Sequence, residues 1–175
     1  MRASLSTQFL AGSLLVALAS CAPKPIAPPP PPPAPAPFVE QAVPEAPGCA
    51  KPAEMAAFNM AATKVRLYVL ARNCHMIDDY NGFITKNRPA LAAHDKALSA
   101  YFVRTMGKKA VGAKDEYDTG LANAQSQRYG YDSVSACAAA PGYFATVSAV
   151  KTVAELNAAA ESLAVSQPMK LAMCK

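Results

Sequence analysis

The side chains able to do chemistry in this 175-residue chain are few and scattered. Five cysteines (Cys21, Cys49, Cys74, Cys137 and Cys174) are accompanied by only two histidines, His75 and His94. The nearest cysteines, Cys49 and Cys74, stand 25 positions apart, which is unlike the close ligand pairs of a zinc site, so no metal is expected. His75 and Asp79 are four residues apart and would share a helical face, where they could pair or hold a metal weakly. With Asp78 and Asn81 they form the most polar knot in an otherwise apolar stretch. An exposed helical ion pair is the preferred reading of that knot. His94 and Asp95 are neighbours, and adjacent side chains on a helix diverge by about 100°. A glycan hydrolase needs two carboxylates across a cleft. The glutamates of residues 48–175 (Glu54, Glu116, Glu155, Glu161) belong to no such signature, and Asp115-Glu116-Tyr117-Asp118 reads as a solvated face. Neither a Gly-x-Ser-x-Gly elbow nor a phosphate loop is present, and thiol chemistry would need a cysteine left unpaired. Residues 48–175 carry 15 Lys and Arg against 10 Asp and Glu, with Lys108, Lys109 and Lys114 gathered at one junction and Lys86 and Arg88 at another. A solvated surface is the preferred reading, and an anionic glycan, a lipid head group or an acidic protein is the alternative.

The N-terminal segments set the compartment in which these groups would work. Residues 1–20 read as a signal peptide, with Arg2 as its basic end and an apolar stretch from Phe9 to Ala19. That stretch is far short of the ~20 residues a membrane span requires. The run Leu18-Ala19-Ser20-Cys21 resembles the lipobox of bacterial lipoproteins: an apolar residue, two small residues, then cysteine. The resemblance implies that the Cys21 thiol carries a diacylglyceryl group and that Cys21 becomes an acylated N-terminus. Two or three acyl chains anchor stably where one is marginal. It further implies an outer-membrane address facing the periplasm, because Ala22 stands where an Asp would favour the inner membrane. The other reading is an ordinary secretory signal cleaved near Ala17-Leu18-Ala19, with Cys21 incidental. Residues 22–47 hold 12 of the 16 prolines. Proline fixes φ and lacks a backbone donor, so residues 21–47 read as the lipidated cysteine followed by a disordered Pro-rich tether. At ~3.1 Å per residue in polyproline II, that spacer reaches roughly 80 Å.

The remaining residues, 48–175, must position whatever chemistry there is. They contain 28 alanines, four prolines and apolar residues at helical spacing, so the domain is expected to be all-α, a small disulfide-stapled bundle of four to five helices. Two stripes, Met55/Phe58/Ala62/Val65/Val69/Met76 and Met60/Leu67/Leu70/Cys74/Ile77/Ile84, predict one long central helix from Pro52 to Arg88-Pro89, with Gly82 as a hinge. Pro89 should open a second helix bearing Leu91, Leu98, Phe102 and Met106 and stopping at Gly107. A third is expected from about residue 109 to 128, with Val111, Tyr117, Leu121 and Ala124 inward and a turn at Tyr129-Gly130-Tyr131. Asp132 or Ser133 can cap a short helix that Pro141-Gly142 breaks, and a last helix after Thr152 carries Val153, Leu156, Ala160 and Leu163. If Cys21 belongs to the lipid, four cysteines remain in an oxidising compartment. Of their three pairings, Cys74 with Cys137 and Cys49 with Cys174 are favoured, at roughly 4 kcal/mol each in a chain-entropy picture.

The domain is also loosely similar to small helical envelope lipoproteins of Gram-negative bacteria, a likeness that brings no catalytic residue with it. The expected function is a non-enzymatic structural or binding module of the envelope, without cofactor. Its expected contacts are the membrane, through the lipid, and a protein or cell-wall partner; nucleic acid is not expected in the periplasm. A peptidoglycan-acting enzyme or inhibitor, or an accessory subunit for envelope assembly or export, are the alternatives.

Overall fold

The computed structural model describes residues 43–163 and 166–175; the expected signal peptide, Cys21 and most of the expected tether lie outside the described residues. Helix α1 (Pro52–Asn73) starts with Pro52 in its first turn, where a missing backbone donor costs nothing. Glu54 at the third position reaches back so that its Oε2 accepts from the Lys51 N–H at 2.7 Å. Both apolar stripes expected for this helix are used. Ala57, Phe58, Met60, Ala62, Leu67, Leu70 and Ala71 are all buried, and α1 packs against each of the other α-helices.

This helix is shorter than its apolar pattern suggests. Instead of continuing to Pro89, it ends at Asn73 in a six-residue cap in which the Met76 N–H donates to the Ala71 carbonyl at 3.0 Å. That cap requires a left-handed residue, and His75 takes the position with φ of 59°, where glycine is usual. Helix α2 (Ile77–Met106) then folds back along α1. Pro89 therefore opens no helix but lies inside one, and Gly82 makes no hinge. An interior proline costs about 3 kcal/mol in an isolated helix. Here Phe83 before it and Leu98, Tyr101 and Phe102 after it are all buried, and burying both halves outweighs one missing hydrogen bond.

Gly107, with φ of 54°, stops α2 as expected. A 3-10 turn (Gly107–Lys109) leads into α3 (Ala110–Tyr131). Tyr117 and Leu121 face inward, whereas Val111, in the first turn of α3, is 76% exposed, and Tyr129-Gly130-Tyr131 extends the helix rather than ending it. Helix α4 (Ser133–Ala149) is capped by Asp132, whose Oδ1 accepts from the Ser135 N–H at 3.1 Å. It runs through Pro141 for the same reason that α2 runs through Pro89: Ala140, Phe144 and Val147 are buried in one core on both sides of the proline. Helix α5 (Val153–Leu163) begins with Thr152 Oγ1 accepting from the Glu155 N–H. Leu156, Ala160 and Leu163 are buried, but Val153 is exposed in the first turn.

The five α-helices among the described residues enclose two apolar clusters, and α1 supplies both. One gathers Phe58, Tyr101, Phe102, Tyr117 and Leu121, with Phe58 edge-on to Tyr101 (4.8 Å between centroids) and to Tyr117 (5.2 Å). The other gathers Met60, Leu67, Phe83, Phe144, Val147 and Leu156. Each is closed by a disulfide of the expected pairing. Cys74–Cys137 ties the end of α1 to α4, and Cys49–Cys174 joins the two ends of the domain.

Around the second bridge the chain ends run parallel for a few residues. The Ala50 N–H donates to the Ala172 carbonyl and the Cys174 N–H to that of Ala50. Residues 44–47, assigned by composition to the tether, join this clasp through the Pro44 carbonyl, which accepts from the Lys170 N–H at 2.8 Å. Side chains lock it to the bundle. Tyr101 donates to the Gly48 carbonyl, and Arg104 donates to the Cys49 carbonyl and to both oxygens of Glu54 (3.0 and 2.5 Å). The C-terminal segment crosses α3 at Gly120, where a Cβ would meet Pro168 at 3.0 Å.

Two outcomes follow from these caps. His75→Gly removes the cost of a left-handed side-chain-bearing residue and should raise unfolding stability by about 1 kcal/mol in urea at constant m value; a loss of stability would contradict the cap. The Arg104 guanidinium beside Glu54 holds that carboxyl below its ordinary 4.5. A lowered folded pKa stabilises fully above the unfolded value and is lost as pH falls through the folded one. Stability should therefore fall more steeply below about pH 5 in the wild type than in Glu54→Gln. Parallel pH profiles would show that the pair contributes nothing.

Candidate functional site

The polar residues singled out by spacing do not assemble. His75 occupies the turn after α1 rather than a helix shared with Asp79, so the expected four-residue pair is not formed. Asp78 and Asp79 lie in the first turn of α2, where carboxylates favour the positive end of the helix dipole, and Asn81 is exposed close by. Lys108 and Lys109 sit beyond the other end of this 30-residue helix, about 45 Å away at 1.5 Å per residue. Four of the cysteines are consumed by the bridges, and Cys21 lies outside the described residues.

His94 is half-buried, and its Nε2 finds no hydrogen-bond partner among the described residues; the same holds for Asn157 Oδ1. Burial pushes the imidazole pKa down, while the nearby Asn157 amide opposes that shift. Asp95 turns instead to Lys114, which also meets Asp118 at 2.8 Å and so ties α2 to α3. The cavity beside these residues, about 140 Å³, is small.

The larger concavity lies between α1, α3 and α4, with a volume of about 450 Å³. Helical spacing builds its walls. Arg66, Val69 and Leu70 occupy positions i, i+3 and i+4 of α1; Gln125, Arg128 and Tyr129 repeat that spacing on α3; Ala136, Ala139 and Tyr143 line α4. Tyr131, Asp132 and Ser135 complete the rim where α3 gives way to α4.

Arg66 is the most constrained polar group in this groove. Its Nη1 donates to the Leu163 carbonyl at 2.8 Å, capping the end of α5 with a cation, and its guanidinium lies 4.1 Å from the centre of the Tyr143 ring. Burial lowers its pKa, and the positive charge of Arg128 lowers it further, against the opposing pull of Tyr143. Both cations line the groove, and neither has a carboxylate within ion-pair distance among the described residues. The Tyr129 hydroxyl stands 3.8 Å from Cys137 Sγ, so the Cys74–Cys137 bridge lies directly behind one wall. Gln125 is buried and donates to the Ser166 carbonyl, fixing the segment after α5 against α3.

This arrangement supplies planar forks of N–H donors beside aromatic faces, a set suited to holding an oxyanion together with a ring. Sequence reasoning missed it because the Tyr129-Gly130-Tyr131 turn expected there would have dispersed the tyrosines. The usable signal was the i, i+3, i+4 recurrence of Arg66 with Val69 and Leu70, and of Gln125 with Arg128 and Tyr129. Compared with protein-family models, curated proteins and solved structures, the chain matches none.

Proposed function

We propose that this protein is a non-enzymatic binding module of the Gram-negative cell envelope, anchored through Cys21 in the outer membrane, facing the periplasm and holding its helical domain out on the Pro-rich tether. The observation that carries the reading is the pair of disulfides, which suits an oxidising compartment and leaves one cysteine over for lipid. The groove between α1, α3 and α4 gives such a module a surface on which to receive a protein or cell-wall partner.

Fractionation tests the address. Wild-type protein should sediment with outer membranes, and Cys21→Ser should move to the soluble fraction, since losing the acyl chains removes ~0.8 kcal/mol per buried methylene. A variant that remains with membranes contradicts the anchor. Incubating the wild type with purified cell-wall sacculi should release no soluble fragments, whereas steady release would make it a hydrolase.

A further inference from the structure

We propose that the groove between α1, α3 and α4 binds a saccharide bearing a single carboxylate, with the carboxylate held between Arg66 and Arg128 and the sugar ring laid on the tyrosines. The inference rests on the envelope reading for its source of ligand, the acid-substituted sugars of the cell wall. Charge complementarity carries it. Arg66 and Arg128 both line one concavity, on facing helices, without an ion-pair partner among the described residues, and an oxyanion received there would supply the missing counter-charge. The rim carboxylate of Asp132 is already engaged as the cap of α4. It brings the net charge of the groove to one positive, which matches a monoanion better than a dianionic phosphate.

Ring recognition comes from Tyr129 and Tyr143, the latter held in place by Arg66 itself. The volume of about 450 Å³ lies within the range of small-ligand sites. The walls are pre-formed: the Cys74–Cys137 bridge backs one, and the Arg66 hydrogen bond to Leu163 fixes another. Binding thus needs little ordering of the protein.

Calorimetry on the oxidised, detergent-solubilised full chain tests this with a matched pair: the disaccharide of N-acetylglucosamine and N-acetylmuramic acid, which has one carboxylate, and chitobiose, which has none. The acid disaccharide should bind saturably, with affinity that falls as salt is raised. Chitobiose should bind at least about tenfold more weakly, as should the acid disaccharide to Arg128→Gln. Arg128 is exposed, so this variant should keep the wild-type melting temperature, which Arg66→Ala need not. Equal binding of the two sugars, indifference to Arg128→Gln, competition by inorganic phosphate at equal concentration, or no saturation by about 10 mM would each overturn the proposal. If the wild type still fractionates with outer membranes while any of these is found, the groove assignment alone has failed.

Discussion

Everything in this domain depends on the burial of α1 on more than one side. The chain is rich in alanine, and small side chains let helices approach closely but supply little apolar surface each. A single amphipathic stripe on α1 would leave too little to bury. Two stripes let the same helix serve two modest clusters, one built on aromatic edge contacts around Phe58 and the other on Met60, Leu67 and their neighbours from α2, α4 and α5. The buried hydroxyl of Thr63 is tolerated at this centre because it donates to the Ala160 carbonyl at 3.2 Å.

The bridges answer a weakness of that design. Small cores tolerate fraying, and the places where α1 begins and ends are where the chain must change direction. Cys74–Cys137 holds the far end, and Cys49–Cys174 holds the near end, closing loops of 63 and 125 residues. In a chain-entropy picture loops of that length are worth roughly 4–5 kcal/mol each, comparable to much of the net stability of a small domain. The near clasp also fixes residues 44–50 beside the C-terminal segment. The far bridge and Arg66 instead set the groove walls, so the same constraints that hold α1 in place shape the candidate site.

Much of this was legible in the sequence where local chemistry and tertiary packing agree. Gly107, Asp132 and Thr152 mark helix ends whose caps are local hydrogen bonds or backbone conformations, and all three act as their residue types suggest. The pairing of the cysteines followed from which of them share apolar faces or chain ends. Where packing overrides local preference the reading failed. Pro89 and Pro141 look like breakers, yet apolar residues on both sides of each are buried in continuous helices. His75 looks like one half of a helical ion pair with Asp79, yet it supplies the left-handed residue that lets α1 stop before its apolar pattern does. Arg66 and Arg128 are 62 positions apart and carry no motif, so only the packing of α1 against α3 brings them to one groove.

The central claim is a division of labour among the five cysteines: four staple the two ends of a bundle built on α1, and we propose that the fifth, Cys21, carries the anchor. Mass spectrometry of peptides from the unreduced, membrane-extracted protein tests it directly. The account predicts two bridged species, Cys49 with Cys174 and Cys74 with Cys137, and a Cys21 peptide heavier by its acyl groups. A bridge between Cys49 and Cys74, or any bridge that includes Cys21, would contradict it.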